Sequence, residues 1–252
     1  MYQNKYFKYK NKYLHLKKQL AGAHAEPTSP SRYLPSYSIA NIFSHLSIQD
    51  AISTFENLIQ NPDRNYRIKL YDSFYSYLAQ IDEFIDQDFI NTPFFNNINP
   101  SRKRFRDAIR KLKNVSTLTN LPINLTHLTF SNDFNQPINE NVLPNKLTHL
   151  IFGYQFNQPI LPGVLSNLNN LTNLTFGSNF NQSLLPSVFP ISLTNLTFGY
   201  NFNQPLQSGV LPNTLQYIGV ENKQIFLNLL SDTDKERFKD KIFNLMKTIT
   251  FY

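Results

Sequence analysis

The sequence predicts an α+β chain in which an N-terminal α-helical region leads into a β-solenoid that ends in a C-terminal helical cap. Three observations carry that expectation. Leu125, Leu147, Leu171 and Leu193 each open the same phrase, L-T-x-L-x-F, and Phe134, Phe156, Phe180 and Phe202 each open a second, F-N-Q. The leading leucines stand 22, 24 and 22 residues apart, a period that belongs to stacked supersecondary units, none of which can bury its apolar face without a neighbour. Ahead of the repeats and after them, apolar residues fall instead at steps of three and four, the spacing of one helix face.

The 252 residues are enough for a sizeable core. They include no cysteine, which excludes disulfides, thiolate zinc sites and a cysteine nucleophile. No apolar run approaches the roughly 18–20 residues of a membrane-spanning helix, so no transmembrane segment is expected. The net charge of +7 is concentrated: residues 1–20 hold six lysines and no acid, and residues 101–113 hold seven basic side chains against Asp107 alone. The rest of the chain is net acidic and would repel a polyanion, so no specific nucleic-acid partner is expected.

Residues 1–22 are expected to form a basic amphipathic helix. Tyr2, Tyr6, Tyr9, Tyr13, Leu16 and Leu20 lie at heptad spacing among lysines. Such a stripe packs on the protein's own body, on a partner helix or on an anionic membrane surface. Residues 23–32, with Pro27, Ser29, Pro30 and Ser31, read as a linker. Residues 33–100 read as helical: Ile39, Ile42, Phe43 and Leu46 share a face, and Ser47 with Asp50 caps a run through Ala51, Ile52, Phe55, Leu58 and Ile59 that Pro62 ends. Leu70, Phe74, Tyr77, Leu78, Ile81, Phe84 and Ile85 continue at helical spacing. That would put Asp82, Glu83, Asp86 and Asp88 on a solvated helix face, followed by a loop over 91–100.

Within this region Leu34-Pro35, the apolar pair Ile42-Phe43, and Leu46-Ser47 with Asp50 resemble the opening of an F-box. The F-box is a short helical module that docks on a Skp-type adaptor of cullin–RING ubiquitin ligases. The resemblance implies an adaptor-binding surface at Leu34, Pro35, Ile39, Ile42 and Leu46. It covers the start of the module, and an ordinary helical domain capping the repeats accounts for the same residues. Residues 101–114 are expected to form a basic cap helix with Phe105, Ile109 and Leu112 on one face. Its cations fit a nuclear address or a phosphate-binding patch. Equally, a terminal unit must shield an open apolar end and leave its charged side in water.

Numbered from its leading leucine, each repeat places apolar side chains at positions 1, 4, 6 and 10. Short strands are expected near 125–130, 147–152, 171–176 and 193–198, with positions 4 and 6 inside and 3 and 5 outside. Phe130, Phe152, Phe176 and Phe198 should then stack in one ladder and Phe134, Phe156, Phe180 and Phe202 in another, each ring burying roughly 150 Å² or more. Asn135, Asn157, Asn181 and Asn203 follow the second ring where the chain must turn, and a short amide there can satisfy turn backbone or bond its neighbour one repeat away. Pro122, Pro144, Pro190 and Pro212 sit three residues before a leading leucine. The longer third spacing replaces that proline within Ser166–Asn170, an insertion expected to bulge from the turn and leave the sheet intact.

This unit resembles the FNIP repeat, a leucine-rich-repeat relative named for its Phe-Asn-x-Pro core and found chiefly in social amoebae and amoebal giant viruses. The resemblance covers residues 115–220 and implies a leucine-rich-repeat-like β-solenoid of FNIP repeats. FNIP repeats in those lineages often follow an F-box, so it also implies a substrate-recruiting adaptor of a cullin–RING ubiquitin ligase with a Skp-type partner. The tyrosine- and lysine-rich opening resembles an N-terminal segment in proteins of amoebal giant DNA viruses. The location expected is cytoplasmic, in the host cell for a viral chain.

Catalytic chemistry is not legible. Between Asn114 and Val220 the charged residues are Asp133, Glu140 and Lys146, too few for an acid–base pair or a metal cluster. His127 and His149 occupy one position in adjacent repeats, about 5 Å apart, but two ligands without a third make a poor metal site. No cofactor, metal or enzyme activity is expected. Two functions remain: a ubiquitin-ligase adaptor that holds a protein target on its repeats, or a stand-alone interaction or structural solenoid. In both, the target lies on the outward face at His127, His149, Asn173 and Asn195 (position 3), Thr129, Ile151, Thr175 and Thr197 (position 5), and Asn132, Tyr154, Ser178 and Tyr200 (position 8). Residues 221–252, with Ile225, Phe226, Leu229, Leu230, Phe238, Ile242, Phe243, Leu245 and Met246 at helical spacings, are expected to cap the far end.

Overall fold

The computed structural model describes residue 43 and residues 46–60, 62–96 and 100–245. The helix expected over 1–22, the linker over 23–32, and Leu34, Pro35, Ile39 and Ile42 lie outside the described residues, as does Met246. The chain forms two compact units, one ending at Ile81 and the other starting at Asp82.

The first unit contains α1 (Ile48–Leu58) and α2 (Arg64–Gln80). The Ser47 hydroxyl accepts from the Asp50 amide (3.2 Å) and donates to the Asp50 carboxylate (2.8 Å), so the expected cap starts α1. Asp63 caps α2 by accepting from the amides of Asn65 and Tyr66. Ala51, Ile52 and Phe55 are buried on α1, and Tyr66, Leu70, Phe74 and Leu78 on α2 at steps of four. Phe74 holds the centre, edge-on to Phe43 (centroids 5.0 Å) and stacked on Phe55 (4.7 Å). Leu46 is half-buried, and its carbonyl accepts from the Tyr77 hydroxyl at 3.1 Å.

The second unit runs β1 (Ile85–Asp86), α3 (Gln87–Ile90), α4 (Pro93–Asn96), α5 (Pro100–Ala108), β2 (Lys111–Val115), β3 (His127–Phe130), β4 (His149–Ile151), β5 (Asn173–Thr175), β6 (Asn195–Thr197), β7 (Tyr217–Val220), α6 (Lys223–Leu227), α7 (Asp232–Phe238) and β8 (Ile242–Asn244). The eight strands among its described residues form one parallel sheet in sequence order. Ile85, Leu112, Leu128, Leu150, Leu174, Leu196, Ile218 and Ile242 are register partners from edge to edge, and all are buried. The fold is the expected leucine-rich-repeat-like solenoid with helices at its ends, and the sheet is longer than the repeats that announce it.

Three sequence expectations are corrected at those ends. Helical spacing through Ile85 stops at Gln80, and Ile85 is a strand residue, so Asp82, Glu83, Asp86 and Asp88 do not share a helix face. The helix expected over 101–114 ends at Ala108, and 111–115 is a strand. The residues expected to be helical around Ile242 form β8 instead. One physical reason covers all three. Beside an open rung of a parallel stack, a short apolar segment gains both a line of backbone hydrogen bonds and a buried side chain by extending the sheet. The loop expected over 91–100 also contains α4 and the start of α5.

Inside the solenoid the two phenylalanines of each repeat lie face to face at 3.9 to 4.1 Å. Between repeats the first ring stacks on its neighbour at 5.3 to 5.7 Å and the second at 5.9 to 6.1 Å. The amide of the second Phe reaches back three residues to a carbonyl, as in Phe180 to Gly177 at 3.2 Å, which folds that ring beside the first. Each leading leucine donates to the proline carbonyl three residues before it; in the long repeat Leu168 replaces the proline, and β4 and β5 remain in register.

The ends are sealed differently. Buried Gln87 covers the start: its Oε1 accepts from the amides of Ser116 (2.8 Å) and Thr117 (3.1 Å), and its Nε2 donates to the Thr117 carbonyl (2.7 Å). Backbone that a preceding repeat would otherwise satisfy is thus paired. At the far end Phe226 of α6 closes the aromatic ladder, 5.4 Å from Phe198 and 6.4 Å from Phe202.

Candidate interaction face

The outward face of β3 to β6 is set by strand alternation. Leu128, Leu150, Leu174 and Leu196 point inward, so the residues on either side point out. His127, His149, Asn173 and Asn195 are aligned by register into one row, and Thr129, Ile151, Thr175 and Thr197 into a second, all half-buried. Asn132, Tyr154, Ser178 and Tyr200 lie on the turns that follow the strands. Tyr154 is 51% and Tyr200 70% exposed, Asn132 is exposed and Ser178 half-buried. The structure therefore brings together all twelve expected repeat-face residues. Of the adaptor-binding residues, Leu46 is described, in the first unit.

The threonine at position 2, to which sequence reasoning assigned no role, orients the first row. Thr126, Thr148, Thr172 and Thr194 each place their hydroxyl 3.0 to 3.2 Å from a main-chain carbonyl of the preceding unit. The same hydroxyls lie 3.0 and 2.9 Å from Nδ1 of His127 and His149, and 2.8 Å from Oδ1 of Asn173 and Asn195. Imidazole and amide are thus held by one device. Its signal was in the sequence, as the invariant Thr of L-T-x-L.

The two imidazoles stack with centroids 4.2 Å apart and planes 8° from parallel. Phe84 meets His127 edge-on, and Lys111 lies 2.5 Å from the Asp82 carboxylate. Burial pushes the pKa of both rings below the ordinary histidine value, with like-charge repulsion from Lys111 acting on both and from His149 on His127. At the opposite flank Tyr217 stacks on Phe243 at 5.2 Å. Neither contact was expected: Tyr217 lies at the start of a fifth unit that the repeat pattern does announce, but Phe84 stands beside β1 and Phe243 in β8, two strands that it does not.

Among the described residues no group of three or more His, Cys, Asp or Glu side chains could hold a metal ion, and no helix is long and apolar enough to cross a membrane.

A second amide ladder locks the edge of the stack. The Oδ1 atoms of Asn135, Asn157 and Asn181 each accept from the backbone amide of the next repeat's Asn at 2.9 Å, and from the next repeat's Gln side chain at 3.0 to 3.1 Å. Of the two roles open to an amide at this turn, the structure shows the bond to the neighbour one repeat away.

The FNIP Repeat family model matches residues 116–155, 156–194 and 180–220. Among solved structures, one described as the crystal structure of CroV588, a novel circular LRR protein, is 41% identical to this chain, covering 50% of it and 23% of that protein, with a TM-score of 0.42. The chain therefore spans under a quarter of that structure's length. No curated protein matches. Repeat folds of this kind serve mainly as protein-interaction scaffolds.

Proposed function

Because residues 116–220 are FNIP repeats, we propose that this chain is a non-catalytic protein-interaction module whose partner docks on the outward face of β3 to β6. The supporting observation is that the face presents two rows of uncharged side chains in register, polar except for Ile151, overlooked by exposed Tyr154 and Tyr200. Tyrosine gives apolar area and a hydroxyl at low entropic cost. Capture of partners from a cell lysate by wild type and by a Tyr154→Ala/Tyr200→Ala variant tests this. The expected cost is about 2 kcal/mol of binding with the fold intact; undiminished capture would move the site elsewhere.

The finer reading makes the chain a substrate-recruiting F-box/FNIP-type adaptor. It rests on the F-box resemblance over residues 34–51 and on the order of the two parts along the chain. A binding assay with a purified Skp-type adaptor tests it: loss of binding on Leu34→Asp and Ile42→Asp is expected. A wild-type chain that does not bind the adaptor leaves the stand-alone interaction solenoid.

A further inference from the structure

We propose that the His127–His149 stack is a proton-operated element of the interaction face: neutral rings hold it closed, and loading the pair with protons forces the rings apart and remodels the first row. This rests on the reading of β3 to β6 as the partner surface, and it adds regulation of that surface. The argument starts from geometry. Two imidazoles 4.2 Å apart and nearly parallel attract when neutral, and two imidazolium charges at that separation repel.

Among the described residues the pair has no spare counter-charge. The charged groups that act on it are Lys111 and Asp82, and the Asp82 carboxylate is already engaged by Lys111. On the β5 side the row continues with Asn173, which is neutral. The Nδ1 atoms are held by Thr126 and Thr148, so neither ring can swing away without losing that contact. The lowered affinity of both rings for protons follows from burial first; His149 and then Lys111 add to it at His127, where Asp82 opposes it, and Lys111 adds to it at His149.

The sign is fixed by linkage. A histidine bound less tightly to its proton in the folded chain contributes stability that is complete above its unfolded value near 6.5, and that is lost as pH falls from there toward the folded value. Acid therefore loosens this face, and neutral pH closes it.

The repeats supply the control. Asn173 and Asn195 occupy the same position on the same threonine device, so His127→Asn/His149→Asn keeps the row and removes the protons. Imidazole NMR titration of the full chain should give both rings midpoints below free histidine. His149→Asn should return His127 upward, and Lys111→Met should raise both. In urea, the unfolding midpoint of wild type should fall between pH 7.5 and 5, and that of the double Asn variant should fall less. Ordinary, uncoupled midpoints, or a pH profile unchanged by the double variant, would overturn the switch. Both readouts use the free chain, so failure of the Tyr154/Tyr200 experiment is a separate result.

Discussion

A Cβ placed on Gly177 would stand 1.8 Å from the carbonyl oxygen of Gly153, one repeat earlier. The same collision sets Gly153 against the Ser131 carbonyl at 1.8 Å and Gly199 against that of Gly177 at 2.1 Å. Backbone therefore packs on backbone at position 7, and any side chain there would pry two repeats apart. Ser131 holds that position in the first repeat, where β2 precedes it and its Oγ is buried without a hydrogen-bond partner among the described residues. Gly177→Ala should lower the urea-unfolding free energy by about 3 kcal/mol, the upper end of overpacking costs. Ser131→Ala should be neutral or slightly stabilising, since it removes an unpaired buried hydroxyl.

The return coil carries a second special backbone position. Asn141, Gly163, Ser187 and Gly209 are equivalent and all have positive φ, 62°, 95°, 64° and 85°. Serine pays the left-handed penalty that glycine avoids. Ser187→Gly should raise stability by roughly 0.5–1 kcal/mol, read as a higher thermal midpoint. Asn141→Gly should gain less, because Asn tolerates this conformation.

The amide ladder depends on an acceptor and not on an amide as such. Asn157 Oδ1 takes two hydrogen bonds from the following repeat. Asn157→Leu should cost about 1–3 kcal/mol by stranding those donors. Asn157→Asp retains the acceptor and should cost less at neutral pH. Equal losses in chemical denaturation would show that the ladder's hydrogen bonds contribute little.

Phe226 is the lid on the aromatic column. Phe226→Asp should expose the rings of Phe198 and Phe202, increase binding of a hydrophobic dye and promote association in sedimentation. A monomeric variant with unchanged dye binding would show that another residue seals this end.

The sequence by itself determined the interior of the solenoid: the strands, the inward leucines, the two phenylalanine ladders and the identity of the outward rows; for the turn asparagines it left two roles, of which the structure selected the bond between repeats. Each repeat is stabilised by a neighbour that carries the same pattern, so a local period contains the tertiary contact, and 22 residues suffice to state it. Tertiary structure alone decided the ends and the exceptions. Ile85, Lys111–Val115 and Ile242–Asn244 became strands because an open rung lay beside them, although their own spacing read as helix. Gly177 is required by a carbonyl 24 residues earlier, and Gln87 by backbone 29 and 30 residues later. The repeat already set His127 and His149 about 5 Å apart on adjacent strands; that their rings stack face to face, with Phe84 edge-on to His127, was decided by the tertiary structure.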